Sequence, residues 1–170
     1  MKAIPSLVAV AAIAFASTVS GQTAAPFSNR PNLISANPIT VLFGFYNAEF
    51  EHALQPTVSI AAAGSLFDYG SGQYTNLDGI LRYYPAARAI RGFSVGLSVG
   101  VSSFNDDDSG DFYTDDSETV GTLGVRGDYV WLLGRDQRFA VAAGVGAKRL
   151  FGSDATEGLP IARLSVGYAF

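Results

Sequence analysis

Between Gly92 and Phe104 the chain alternates without a break. Phe93, Val95, Leu97, Val99 and Val101 occupy one set of positions, and Ser94, Gly96, Ser98, Gly100 and Ser102 the other. Successive side chains on a β-strand point to opposite faces, so this segment is a strand with an apolar face and a face of very small residues. The second face decides the class. A soluble ligand-binding barrel turns its apolar row inward and covers its outside with Lys, Glu and Thr; it predicts Phe93, Val95, Leu97 and Val99 inside. Ser and Gly make a poor water-facing coat but suit a narrow, filled interior, which leaves the apolar row outside. Two other segments show the same pattern. Val58, Ile60, Ala62 and Leu66 stand against Ser59, Ala61, Ala63 and Ser65, and Phe139, Val141, Ala143 and Val145 against Ala140, Ala142, Gly144 and Gly146.

Composition agrees with an apolar exterior. Charged residues are 15% of the chain, well below the ~25% of an average soluble protein. No stretch after residue 21 is long and apolar enough for a spanning helix. Low charge without a long apolar run is what a transmembrane barrel produces, because it places lipid-facing residues at every second position. At the N-terminus, Lys2 precedes an apolar run from Leu7 to Phe15 and then small residues, the pattern of a secretory signal peptide cut after Ala16 or after Gly21. Residues 22–31, with Pro26 and Pro31, read as a flexible segment, and 32–170 as the barrel. The chain has no cysteine, so no disulfide or thiolate metal site. Loss of residues 1–21 removes Lys2 and no acid, taking the formal charge from −4 to −5 and making nucleic acid an improbable partner. The remaining length, at ~10 residues per strand plus turns, accommodates about eight strands.

Further strands run from Tyr74 to Tyr84, from Thr119 to Leu132 and from Ile161 to Phe170. Leu54–Pro56, Pro85–Arg91 and Leu133–Arg138 are short connections, whereas Asn105–Glu118 is long and acidic. Short turns belong on the periplasmic side and long loops outside. Tyr83, Phe93, Tyr129, Trp131, Phe139, Tyr168 and Phe170 then gather at the periplasmic strand ends, as an interfacial girdle requires. The start is harder to divide. An even strand number requires a split near Gly44–Asn47, giving one strand over Leu33–Phe43 and another over Ala48–Ala53. Pro38 is tolerable there only at an edge or bulge.

The expected fold is therefore all-β, an eight-stranded antiparallel up-and-down transmembrane barrel. Asn37–Gly44, Ala48–Leu54, the Gly79–Pro85 segment with its Arg82-Tyr83-Tyr84, and Arg91-Gly92-Phe93 resemble a family of small bacterial outer-membrane barrels of unknown function, OmpA-like in their eight strands. Phe50 and His52 replace that family's usual Tyr and Arg. The resemblance implies a bacterial outer-membrane protein in contact with lipid and lipopolysaccharide. It also implies that the closing strand, ending Tyr168-Ala169-Phe170, is the signal read by the barrel-assembly machinery.

Eight charges fall at inward positions: Glu49, Glu51, Asp78, Arg82, Arg126, Asp128, Lys148 and Arg163. Four acids with four bases in a narrow lumen read as a salt-bridged plug, since buried charge is costly unless paired. A gated ion path is the alternative. In the acidic loop, Asn105, Asp107, Ser109, Asp111 and Asp116, with Gly110 at the turn, follow part of a calcium-loop spacing. Asn in the first place, the short Asp in the last and the strand flanks favour solvation of a charge run over a bound divalent cation. No other cofactor is expected. His52, the single histidine, stands in the lipid-facing row without a neighbouring serine nucleophile, which argues against lipid hydrolase or transferase chemistry. Arg126-Gly127-Asp128 spells an adhesion tripeptide but lies mid-strand with both charges inward. The function expected is that of a structural or surface-interaction barrel, not an enzyme, acting through Asn105–Glu118 and Gly152–Leu159. A narrow transporter for small apolar or ionic solutes is the second reading.

Overall fold

The computed structural model describes residues 30–68, 72–106, 117–151 and 158–170. Eight strands close into one antiparallel barrel in sequence order. They are β1 (Asn32–Ala36), β2 (Phe45–Gln55), β3 (Val58–Asp68), β4 (Gly72–Tyr83), β5 (Gly92–Asp106), β6 (Ser117–Leu133), β7 (Phe139–Phe151) and β8 (Gly158–Ala169). β1 closes the ring by pairing with β8 from Leu33↔Ala169 to Ala36↔Val166. The register, followed once round from Leu33 through Glu51, Ala61, Ile80, Ser98, Gly124 and Lys148, reaches Leu159. The ring closes on Ala169, ten residues along β8 from Leu159. A stagger of that size tilts the strands by about 40° and leaves an interior that side chains alone can fill.

Parity decides inside from outside. On β5, Val99 is 66% exposed and Leu97 59%, while Ser94 is fully buried and Ser102 1% exposed. The apolar row therefore faces outward, which overturns the soluble-barrel arrangement. Outward aromatics pair at the end bearing the short turns: Tyr129 with Trp131 at 4.6 Å between ring centroids, and Phe139 edge-on to Tyr168 at 6.2 Å. On the same rim Arg138 donates to the Tyr168 hydroxyl at 2.8 Å, and this bond raises the guanidinium's pKa.

The first strand departs from expectation. Sequence predicts it over Leu33–Phe43, but β1 stops at Ala36 and a 3-10 turn occupies Thr40–Phe43. The cause is local. Asn37 Oδ1 accepts from the backbone N–H groups of Ile39 (3.0 Å) and Thr40 (3.3 Å), turning the chain. Pro38 has no N–H to continue the ladder. Gly44, at φ 76°, accepts the left-handed backbone that redirects the chain into β2. Pro31, assigned by sequence to the flexible segment, receives a bond at its carbonyl from Ala53 N at 2.7 Å, and Arg30 donates to the Asp136 carbonyl.

The lumen is filled from the short-turn end upward. The β4–β5 connection folds inward, with Tyr84 N donating to Thr57 O at 2.8 Å and Ala89 N to Pro56 O at 2.8 Å. Tyr84, Ala89 and Ile90 thereby join Leu33, Ala53, Val130, Ala140 and Ala169 in an apolar floor.

Candidate functional site

Above that floor lies a cluster of three acids and three bases. Arg82, from β4, has no exposed side-chain surface and lies at the centre. It donates through Nη2 to Glu49 (2.8 Å), through Nη1 to Glu51 (2.6 Å) and through Nε to Asp128 (3.3 Å). Arg126 reaches Asp128 at 2.7 Å and Glu49 at 2.9 Å. Arg163 donates to Glu49 at 2.6 Å and to Ser35 at 3.1 Å. Glu51 also accepts from Ser59 Oγ at 2.5 Å and from the Tyr84 hydroxyl, which ties the cluster to the apolar floor. Groups buried this far from water stay ionised only with partners on nearly every oxygen and nitrogen. The exceptions face each other: Asp128 Oδ1 and Arg163 Nη1 stand 3.7 Å apart without a hydrogen bond among the described residues.

A second pair sits further toward the loop end. Lys148 donates to Asp78 at 2.6 Å and to Asn76 Oδ1 at 2.9 Å. Asn76 in turn donates to Asp78 (2.8 Å) and accepts from Ser102 (2.8 Å), while Thr122 donates to Asp78 at 3.3 Å. All eight charges singled out by parity thus point into the lumen. The structure divides them into two groups, each of zero formal charge.

Glycine makes room for both groups. A Cβ at Gly144 would collide with the Asp128 carboxylate, and one at Gly100 with that of Asp78. In each case the glycine is the cross-strand neighbour of the acid: Asp128↔Gly144 and Asp78↔Gly100. The sequence shows such glycines only as small residues that suit a narrow interior, not as sockets for particular carboxylates. Sequence reasoning also omitted Ser35, Ser59, Asn76, Tyr84 and Thr122 from the site. Their signal was available, since each has the inward parity of its strand, but a neutral side chain at an inward position announces no partner.

The other candidates lie apart from this network. His52 is on the outer face, its Nδ1 2.8 Å from Asn32 Oδ1. Arg126 and Asp128 of the adhesion-like tripeptide bond to each other inside the wall. Tyr168 and Phe170 stack at the short-turn rim with centroids 6.4 Å apart. Asp107, Ser109, Asp111 and Asp116, and the side chain of Asn105, lie outside the described residues, as do residues 1–29 and 152–157. Among the described residues no cluster of His, Asp and Glu is arranged to hold a metal.

An eight-stranded closed barrel with an apolar outer band, an aromatic rim and a charged, filled lumen has the architecture of the small outer-membrane barrels. Two solved structures of outer-membrane proteins are similar to this chain. The Yersinia pestis outer membrane protein Ail, in a phospholipid bilayer nanodisc, aligns with 83% of this chain and 99% of its own at 12% identity, with a TM-score of 0.51. The N-terminal β-barrel domain of Pseudomonas aeruginosa OprF aligns with 83% of this chain and 98% of its own at 19% identity and a TM-score of 0.48. At such an identity the likeness to Ail speaks for the fold alone. No protein-family model and no curated protein matches the sequence.

Proposed function

We propose that this protein is a structural or surface-interaction barrel of the bacterial outer membrane, exported by its signal peptide, without catalysis and with a lumen closed to axial flow. The observation that carries the reading is the stacking inside the barrel. An apolar floor lies beneath a six-charge cluster whose acids and bases are matched, and a further Lys148–Asp78 pair lies above it. Charges locked to one another in this way offer no mobile site to a passing ion, and the floor offers it no hydration. The outer face, with Val145 72% and Phe139 66% exposed, needs lipid around it. Contact with the surroundings then falls to the loops, where Asn105–Glu118 carries the acidic run and Gly152–Leu159 joins it at the same end. These loops are the surfaces for lipopolysaccharide or a foreign surface, the acidic one through divalent cations bridging to phosphate. His52, the single histidine, faces outward with its Nδ1 against Asn32 Oδ1.

Planar-bilayer recording tests the closed lumen. The mature protein should insert without conducting at moderate voltage. Replacing Arg82 and Glu49 by Ser together with Tyr84 and Ile90 by Ala, which removes the centre of the plug and thins the floor beneath it without changing net charge, should give discrete openings. Steady conductance from the unmodified protein would refute the plug.

A further inference from the structure

Apart from Lys2 and Arg149, the bases outside the lumen are gathered at one end. Arg30, Arg88, Arg91, Arg135 and Arg138 all lie at the short-turn rim, the last four exposed, although the chain as a whole is acidic. Asp136 is the one acid in the short turns. Even with a carboxylate counted at Phe170, the rim keeps a formal excess of three positive charges. Four of the five arginines converge on the β6–β7 turn, Gly134–Arg138. Arg135 and Arg138 belong to it, Arg30 donates to the Asp136 carbonyl, and Arg91 donates to Gln137 Oε1 at 3.1 Å. Arg138 carries its guanidinium to the Tyr168 hydroxyl on the outer face. The oxygens that Arg91 and Arg138 engage are neutral, and one such bond leaves most of a guanidinium's five donors for another acceptor.

The wall above this turn is grooved. Ala48, Ala36, Val166 and Val141 are cross-strand neighbours and make an outward row of short side chains. The next row toward the rim is larger, with Ile34, Tyr168 and Phe139 paired in the same way and Leu133 beyond them. Between the rows runs an apolar trough on the outer face, from β6 to β2. The stagger of the barrel inclines it. A cross-strand path climbs from Leu33 to Leu159 in the order β1 to β8, and the same slope carries across the β8–β1 closure. The trough is therefore lowest at Leu133 and Phe139, which flank the arginine-bearing turn, and rises away from the rim to Ala48.

We propose that this trough seats an acyl chain of an anionic phospholipid of the inner leaflet, whose phosphate is held among Arg91, Arg135 and Arg138. The inference rests on the outer-membrane reading, which puts the aromatic rim at the inner-leaflet interface. A lipid is favoured over a soluble anion because the guanidinium groups stand at the foot of an apolar trough that leads into the hydrocarbon. A head of net negative charge is favoured over a zwitterionic one because Asp136 is the only acidic side chain of the turn that could receive an ammonium group.

Trp131, the single tryptophan, is the cross-strand neighbour of Val141 and reports on the trough from its edge. The mature protein is placed in phosphatidylcholine nanodiscs containing phosphatidylglycerol or phosphatidylethanolamine brominated near the head of the acyl chains. Quenching of Trp131 against mole fraction gives relative association constants. Phosphatidylglycerol should exceed phosphatidylethanolamine by at least about fivefold, the factor that one basic residue near an anionic lipid surface supplies. Arg91→Gln, Arg135→Gln and Arg138→Gln together should bring the two lipids to parity. Where that triple variant does not fold, as judged by heat-dependent gel mobility, Arg135→Gln alone should lower the preference. Ala36→Leu with Ala48→Leu, which fills the trough without altering charge, should remove most of it. A reporter at Ile60→Trp in a Trp131→Phe background, on the outer face of β3 above the uncharged Leu54–Thr57 turn, should show none.

Equal association of the two lipids at Trp131, a preference that survives loss of the arginines, or one equally strong at the β3 reporter would overturn the proposal. Indifference to the trough-filling pair would overturn the seat of the chain. Retention on peptidoglycan sacculi through the same arginines, without lipid preference, would assign the patch to the wall polymer and overturn it too. A barrel folded in lipid that shows no preference refutes this site alone, whereas a chain that folds in plain buffer refutes the outer-membrane reading and the site with it.

Discussion

Replacing Arg82 with Met keeps an unbranched stem of the side chain and removes the guanidinium with its charge. The three bonds it makes, to Glu49, Glu51 and Asp128, are all to buried carboxylates. At about 1.5–3 kcal/mol for each hydrogen bond to a charged group, the sum would be about 5–9 kcal/mol if nothing compensated. Part is compensated, because Glu49 keeps Arg126 and Arg163, and Asp128 keeps Arg126. Glu51 keeps no cation and is left with Ser59 and Tyr84 alone. The expected loss is therefore about 3–5 kcal/mol, the range for breaking a buried ion pair from one side. With a urea dependence of about 2 kcal/mol per molar, the unfolding midpoint falls by about 2 M. Trp131, the single tryptophan, lies on the outer face near the short-turn rim, so its fluorescence in lipid vesicles follows unfolding. The informative comparison is the double variant. Adding Glu51→Gln to Arg82→Met restores charge balance and should recover at least about 1.5 kcal/mol as coupling between neighbours. A loss under about 1 kcal/mol for Arg82→Met, or no recovery in the double variant, would refute the account of a tightly paired cluster.

Two further outcomes follow from the packing. Gly144→Ala should destabilise by about 1–3 kcal/mol or prevent folding, because the added methyl meets the Asp128 carboxylate and the Gly127 carbonyl, whereas Gly121→Ala, with open space around it, should stay within about 0.5 kcal/mol in the same urea titration. Val99→Arg, on the outer face at mid-strand, should cost about 2–4 kcal/mol in lipid vesicles, and a negligible change would mean that this face does not meet the hydrocarbon.

Particular residues show how far the sequence could be read. Leu97 and Ser98 are told apart by parity alone, and the same rule puts Arg82, Asp128 and Arg163 inside. The strand count was legible from the turns and from the demand for an even number. The end of β1 was not, because the segment Ile39–Phe43 keeps an apolar character that suits a strand, and what stops the strand is the Asn37 side chain bonding ahead to Ile39 and Thr40. That Gly158–Ser165 of β8 has no β1 partner follows from that single local event and was invisible for the same reason. Nor could sequence say that Arg82 would serve Glu51 while Lys148 served Asp78.

The division has a physical origin. Which face a residue takes is a property of the pleat, repeated every second residue and independent of everything beyond the strand. The sequence by itself therefore determined the barrel class, the apolar exterior and the identity of the charges inside. Which charges meet depends on how far each strand is shifted against the next, and that shift is set only when the ring closes on Ala169 with its ten-residue stagger. The pairing of the plug, the glycine sockets beside Asp78 and Asp128, and the open edge of β8 are consequences of closure, and only the tertiary structure decided them.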